Sequence, residues 1–321
     1  MTMNVYEIIT DKILGQLRKG IVPWSRPWRT DGLAPTNAVS KREYRGINIF
    51  LLAAAQAELG PDATPYWLSY NQAKALGGNV KKGSKATMVV FWKIFDGKSK
   101  DDDGEEGEEK GGRKSLMLRY YNVFNLSQCE GLDKLAEKWK ERVAGKDKDA
   151  PKPIKPVKRA ENIIKNFPAP KVSIKHEKQS RAFYRLSSDS ITMPPVDMFK
   201  SKEGYYSTLF HEITHSTGHP KRLDRISEDD ALTGGFGSKP YAREELVAEM
   251  GAAFLCGEAG ITPNIENSAS YIGSWLSALA NDHKLVVIAA QRAQKAADYV
   301  LGRVQETAKE KDNSRAIGGA A

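Results

Sequence analysis

Between Val143 and Ala160 the chain alternates lysine with proline (VAGKDKDAPKPIKPVKRA), and such a stretch resists compact folding. Each proline removes a backbone donor and biases its predecessor away from the helical region, while the lysines repel one another. The segment is read as a semi-extended linker, 143–160, and as a domain boundary. A chain of 321 residues exceeds the usual length of one domain, so two units are expected, each long enough to bury a core of its own. These are residues 1–142 and 161–305, and a tail from 306 to 321, without apolar periodicity, is read as disordered.

Local patterns give both units an α+β character. Val5, Ile8, Ile9, Ile13, Leu14 and Leu17 recur at helical spacing and predict a helix over 4–18 that stops at Gly20. Pro23, Trp24, Pro27 and Trp28 predict an extended segment, 47–59 a second helix, and Ser69 the cap of a short helix ended by Gly77 and Gly78. Two runs rich in β-branched and aromatic residues, 86–95 and 115–124, predict paired strands. Between them 96–114 (DGKSKDDDGEEGEEKGGRK) is too charged and glycine-rich to pack, and is read as a mobile loop tolerated at the surface. Beyond the linker, helices are expected near 160–166, 204–219, 242–257, 269–281 and 283–302. Residues 189–193, ended by Pro194 and Pro195, read as an edge strand.

Composition excludes several classes. With 40% hydrophobic and 28% charged residues, and no apolar run near the roughly 18 residues needed to span a bilayer, a membrane role has no support. The start MTMNVYEII lacks a basic region followed by an apolar core, so cytoplasmic residence is expected. Cys129 and Cys256 lie far apart without metal spacing and read as buried small hydrophobes.

The segment GYYSTLFHEITHSTGH (204–219) carries the most specific chemistry. On a helix, His211 and His215 fall on one face a turn apart, where one ion can take a nitrogen from each. Glu212 is displaced sideways, positioned to accept a proton from a metal-activated water, as in metallopeptidases of the HExxH type. Zinc follows from the ligand types, and Mn2+ or Co2+ can substitute. A third ligand is sought in AREELVAEMGAAFLCG (242–257), where Glu245 and Glu249 flank the apolar stripe Leu246, Met250, Ala253 and Phe254. Glu245 is assigned as ligand, and Glu249 as the acceptor of the free N–H of a ligand histidine. Glu244 points about 100° away from Glu245 along the helix, and His219 follows the first helix closely. The longer pattern HExxHxxGxxH is broken, because Lys221 stands where its third histidine belongs. Tyr241, Arg243, Tyr271 and His283 are candidates to stabilise an oxyanion, and spacing selects none of them.

The formal charge of +9 is concentrated toward the N-terminal half, where bases interleave with aromatics: Trp24, Arg26, Trp28 and Arg29; Lys41, Arg42, Tyr44 and Arg45; Lys81, Lys82, Lys85 and Trp92. Cations that neutralise phosphates beside aromatic faces that stack on bases are what a single-strand binder needs.

In order along the chain, PTNAVSKREYRGIN (35–48), YWLSYNQAKALGGNVKKGSKAT (66–87), YYNVFNLSQCEGL (120–132), the HEITHSTGH segment, EELVAEMGAAFL (244–255) and YIGSWLSAL (271–279) resemble the ArdC family of plasmid antirestriction proteins. The resemblance implies an N-terminal domain that binds single-stranded DNA, similar also to a region of plasmid conjugation primases, followed by a zincin metallopeptidase domain. It implies protection of incoming plasmid DNA from host restriction after conjugation; that a protein is cleaved in this role does not follow from it, and a host restriction enzyme or another protein is the candidate partner of the peptidase site. It also implies the gluzincin layout, in which His211, His215 and Glu245 hold the metal and Glu212 is the base.

Overall fold

The computed structural model describes residues 4–25, 34–96, 114–143, 155–226, 239–263 and 268–303. Most of the acidic segment, the centre of the Lys/Pro stretch, the tail, and Arg26, Trp28 and Arg29 lie outside these residues. The fold is α+β with two domains.

The chain opens with helix α1 (Val5–Leu17), whose entry is fixed reciprocally. The Asn4 side chain accepts from the Glu7 N–H at 3.0 Å, and the Glu7 carboxylate accepts from the Asn4 N–H at 2.9 Å, satisfying donors the first turn leaves unpaired. A four-stranded sheet follows, built from β1 (Thr36–Asn37), β2 (Tyr66–Leu68), β4 (Thr87–Asp96) and β5 (Lys114–Asn125) in the order β1-β2-β5-β4. As the alternating runs predict, β4 and β5 form an antiparallel hairpin, with Val90 opposite Tyr120. Helix α2 (Ile47–Leu59) reaches the open edge of β4 through Asn48, which donates to the Val90 carbonyl at 2.8 Å and accepts the Val90 N–H at 2.7 Å. A buried strand edge is thereby paired by a side-chain amide. Helix α3 (Tyr70–Ala75) starts at the expected Ser69, which caps it together with Gln72. A small ladder of β3 (Asn79–Val80) and β6 (Cys129–Glu130) and helix α4 (Asp133–Val143) complete this half.

The second half begins with α5 (Pro156–Lys165), inside the stretch read as linker. Pro156 occupies the first helical position, where its missing N–H costs nothing, so a proline that looked like a breaker starts the helix. A three-stranded sheet, β7 (Ser173–His176), β9 (Ser190–Met193) and β8 (Phe183–Arg185), follows in the order β7-β9-β8. The predicted edge strand is therefore the central one. Pro194 and Pro195 lie just past its last ladder residue, Met193, and take no donor from the sheet. Among the described residues four helices follow: α6 (Lys202–Ser216), α7 (Lys239–Ala259), α8 (Ser268–Asn281) and α9 (Leu285–Val300).

The largest apolar core is shared by the two halves, and two smaller clusters lie within the first half alone. Helix α2 is strongly apolar and packs beyond its own sheet. The ring of Phe50 stacks on Phe254 of α7, with centroids 5.0 Å apart and planes within 8°. Trp24 lies edge-on to Phe50 and to Trp275 of α8, at 6.2 and 5.2 Å. Gly46 N–H donates to Gln294 on α9 at 3.0 Å, and Arg45 pairs with the buried Asp298 of the same helix. The helix that carries the acidic site residues is thus packed from behind by the first half of the chain.

Candidate metal centre and nucleic-acid surface

Helix α6 begins where Ser201 accepts the Gly204 N–H at 3.0 Å. Its close approach to α7 depends on Gly251. A Cβ there would meet Thr214 Cγ2 at 2.4 Å, so only glycine lets the two helices approach this closely. With the helices so placed, His211 and His215 of α6 face Glu245 of α7. The two Nε2 atoms are 3.1 Å apart; His211 Nε2 is 3.5 Å from Glu245 Oε2, and His215 Nε2 is 3.5 Å from Glu245 Oε1. Ligands about 2.0–2.2 Å from a tetrahedral ion stand roughly 3.3–3.6 Å from one another. The observed separations lie close to that range, and a divalent metal fits the donor set. Glu212, beside His211, is 7% exposed.

Around these three residues the pattern differs from the sequence reading in one respect. His215 Nδ1 lies 3.4 Å from Glu244 Oε1, so Glu244, passed over because it points away from Glu245, is the carboxylate beside that ring. Glu244 is itself gripped by Arg225, whose Nε reaches Oε2 at 2.9 Å and whose second guanidinium nitrogen reaches Oε1 at 2.6 Å. Arg225 also donates to Thr217 Oγ1 at 2.9 Å and to the Thr214 carbonyl at 2.8 Å, and is 6% exposed. Glu249 Oε1 stands 3.7 Å from His211 Nδ1, beside one of the two ligand histidines but beyond ordinary hydrogen-bond distance.

The electrostatics point the same way as the distances. Burial disfavours charge on His215, yet its hydrogen bonds with Glu244 and Glu245 and the nearby carboxylate charges outweigh burial and raise the imidazole to about 10. Burial likewise raises Glu245, but the two histidines overturn this and hold it below the ordinary carboxylate range. Glu244 is lowered despite burial, chiefly by the Arg225 charge, while burial lifts Glu249. A pocket that gathers several carboxylates around two imidazoles has a strongly negative field, which is the field a cation site requires.

Three further candidates make contacts of their own, and the Tyr271 side chain lies outside what the structure describes. His219 accepts the Lys221 N–H at 3.0 Å in the turn after α6 and is not among the converging ligands. Arg243 pairs with Asp282 at 3.3 Å, and His283 offers its carbonyl to Thr10. Both cysteines are buried and free, as expected.

Among the residues read as a nucleic-acid surface, two need correction. Trp24 is fully buried in the shared core and presents no face to a base, and Tyr44 is 7% exposed. Both were read as stacking rings because basic residues lie within a few positions of each, whereas burial is set by tertiary partners, Phe50 and Trp275 for Trp24. Lys41, Arg42, Arg45, Lys81, Lys82 and Lys85 are exposed. Of these, Lys41 sits over the Tyr66 ring at 5.4 Å, Lys81 donates to the Ser127 carbonyl at 2.8 Å, and Arg45 is held by Asp298. Trp92, read as part of this surface, is exposed, whereas the exposed aromatics Tyr70, Phe91, Tyr120 and Tyr121 were missed, and period-2 alternation in 86–95 and 115–124 was the signal available for all of these but Tyr70.

Comparison with known proteins places both halves. Residues 3–124 match the N-terminal domain of the anti-restriction factor ArdC, and 158–292 match a zincin-like metallopeptidase domain. DNA primase TraC of Escherichia coli is 36% identical over 318 residues, 95% of this chain. This chain spans only 20% of the length of that protein, and 28% of a second TraC primase that is 35% identical. An uncharacterized protein of Sinorhizobium fredii, y4eC, is 34% identical and is covered over 91% of its length. Among solved structures, the metal-free antirestriction protein ArdC of plasmid R388 superposes with a TM-score of 0.71 at 35% identity, covering 94% of this chain and 98% of that one. Its Mn(II)-bound form gives 0.70 at 34%, covering 95% and 100%. With both domains matched in order and a like-sized relative aligned over nearly its whole length, the chain belongs to the ArdC family of antirestriction proteins.

Proposed function

We propose that this chain is a cytoplasmic antirestriction protein with two activities that together protect incoming plasmid DNA from host restriction during conjugation. Its N-terminal domain, residues 1–142, binds single-stranded DNA, and its C-terminal domain, 161–305, hydrolyses peptide bonds at a zinc site. The observation that carries the reading is the convergence of His211, His215 and Glu245 beside Glu212.

His211 Nε2, His215 Nε2 and Glu245 hold the ion, with Zn2+ favoured by the ligand types and Mn2+ or Co2+ as substitutes. When bound, the ion polarises a substrate carbonyl and acidifies a water molecule. Glu212 takes the proton of the attacking water and passes it to the leaving amine. Glu244 fixes the tautomer and tilt of His215 by accepting its Nδ1–H, and Arg225 keeps Glu244 ionised for that purpose. Glu249 faces Nδ1 of His211 at 3.7 Å and contributes negative charge beside that ring rather than a hydrogen bond. The protein substrate is a host restriction enzyme or another host protein.

The test is Glu212→Gln, which keeps the ligands and removes the base. It is expected to retain bound metal and to lose proteolysis of host protein by about 10²–10⁴-fold. A variant that cleaves as fast as the parent removes Glu212 from the mechanism. The packing of Phe50 against α7 favours a second reading, in which the metal only stiffens that helix and the protein shields single-stranded DNA without catalysis. Full plasmid protection by Glu212→Gln would select it.

A further inference from the structure

The geometry points to the outer face of the β4–β5 hairpin as the platform on which single-stranded nucleic acid lies, with Phe91 and Tyr121 stacking on bases and Arg119 and Lys93 on the phosphates. This inference rests on the proposed single-strand binding and names the surface that performs it.

Alternation along the hairpin separates two faces. Met88, Val90 and Leu118 point inward and are buried in the shared core, and Trp92, on the same side, lies against Tyr6 of α1 with centroids 6.3 Å apart. The other face begins in a small core, where Val89 is covered by Tyr44, Leu52 and Trp67, and then emerges into solvent. There Phe91 is 47%, Met117 47% and Tyr121 51% exposed. Register places Arg119 opposite Phe91 and Lys93 opposite Met117, and both cations are exposed. The rings of Phe91 and Tyr121 are 5.7 Å apart and edge to face. Phe91 in turn leans on Tyr44 at 6.3 Å, and Tyr44 is flanked in the chain by the exposed Glu43 and Arg45, with Arg42 one residue further on.

Three large apolar side chains half out of water on one hairpin face are an unfavourable surface unless something covers them. Among the described positions of the exposed part of this face, Phe91, Lys93, Met117, Arg119 and Tyr121, none is acidic. A ligand that is anionic along one edge and flat and apolar along the other suits that mixture, and single-stranded nucleic acid has both properties. A duplex hides its base faces and matches only the cations.

The experiment is fluorescence anisotropy of the full-length protein with a labelled thymidine 20-mer, at several salt concentrations, with the matching duplex as competitor. Phe91→Ala and Tyr121→Ala are each expected to weaken single-strand binding about tenfold. Phe91→Leu with Tyr121→Leu, which keeps apolar area but removes the stacking rings, is expected to weaken it similarly while leaving the melting temperature near that of the parent. Arg119→Ala is expected to reduce the slope of log K against log salt by about 0.7. Met198→Ala, at an equally exposed apolar site in the other half, is expected to change nothing. If the parent binds the 20-mer and the double leucine variant binds it equally well, this surface is wrong while single-strand binding stands. If the parent does not bind it, single-strand binding fails and the platform with it.

Discussion

Glu244 Oε1 lies 3.4 Å from His215 Nδ1, while the neighbouring residue, Glu245, presents its carboxylate to Nε2 of the same ring at 3.5 Å. Two consecutive glutamates of α7 therefore address opposite nitrogens of one histidine. Their side chains diverge by about 100° around the helix, and the imidazole spans the gap.

This arrangement predicts a graded response to substitution. Glu244→Gln keeps the shape but weakens the acceptor at His215, and divalent-metal affinity is expected to fall about 10–100-fold, measured by competition with a chelator. Arg225→Ala leaves Glu244 buried without its cation, so a stability loss of about 3–5 kcal/mol is expected from urea unfolding. An unchanged metal affinity in Glu244→Gln would show that the contact does not position His215.

Gly251 gives a second test, because the site exists only while α6 and α7 stay close. A methyl group at 251 would lie 2.4 Å from Thr214 Cγ2 and 2.8 Å from its Oγ1. Gly251→Ala is expected to cost about 1–3 kcal/mol and to loosen metal binding. Adding Thr214→Ala removes both clashing atoms, so the double variant is expected to recover most of the loss. Failure of that rescue in thermal melts would mean the clash is not the cause.

Away from the site, Asp189 supplies a pH dependence with a definite sign. Burial raises its carboxyl, but the hydrogen bonds and charge of Arg222, aided by Tyr184, outweigh burial and hold it below its ordinary value. A depressed carboxyl contributes stability that is present above its unfolded pKa, about 3.9, and is lost as pH falls through the lower folded value. Asp189 also has a φ of 45°, which asparagine tolerates. Asp189→Asn is therefore expected to be less stable than the parent at pH 7, with the gap closing in acid. Urea midpoints compared between pH 7 and pH 2 check this, and a gap independent of pH would contradict it.

What the sequence made legible follows the range of the forces involved. The spacing of His211, Glu212 and His215, the Ser69 cap and the alternation of the hairpin strands are written within a few residues, and the elements form where those signals lie. Trp24 was misjudged because Arg26, Trp28 and Arg29 follow it closely in the chain, while its neighbours in space, Phe50 and Trp275, are far along the sequence. Glu244 was ranked below Glu245 and Glu249 because a helical projection gives an angle within one helix and says nothing of how α6 and α7 cross. Arg225, which explains why Glu244 can be buried, lies beyond the end of α6 in no periodic pattern. Central placement of β9 depended on β7 and β8, strands of four and three residues whose short runs carry little alternation.

The measurement that bears most directly on the metal centre is metal content by elemental analysis after equilibration with micromolar zinc, for the parent chain beside Glu245→Ala. The parent is expected to carry about one equivalent, and the variant, left with two imidazoles and no third ligand, far less. A variant that keeps a full equivalent as tightly as the parent would contradict the assignment of His211, His215 and Glu245 as the set that holds the ion.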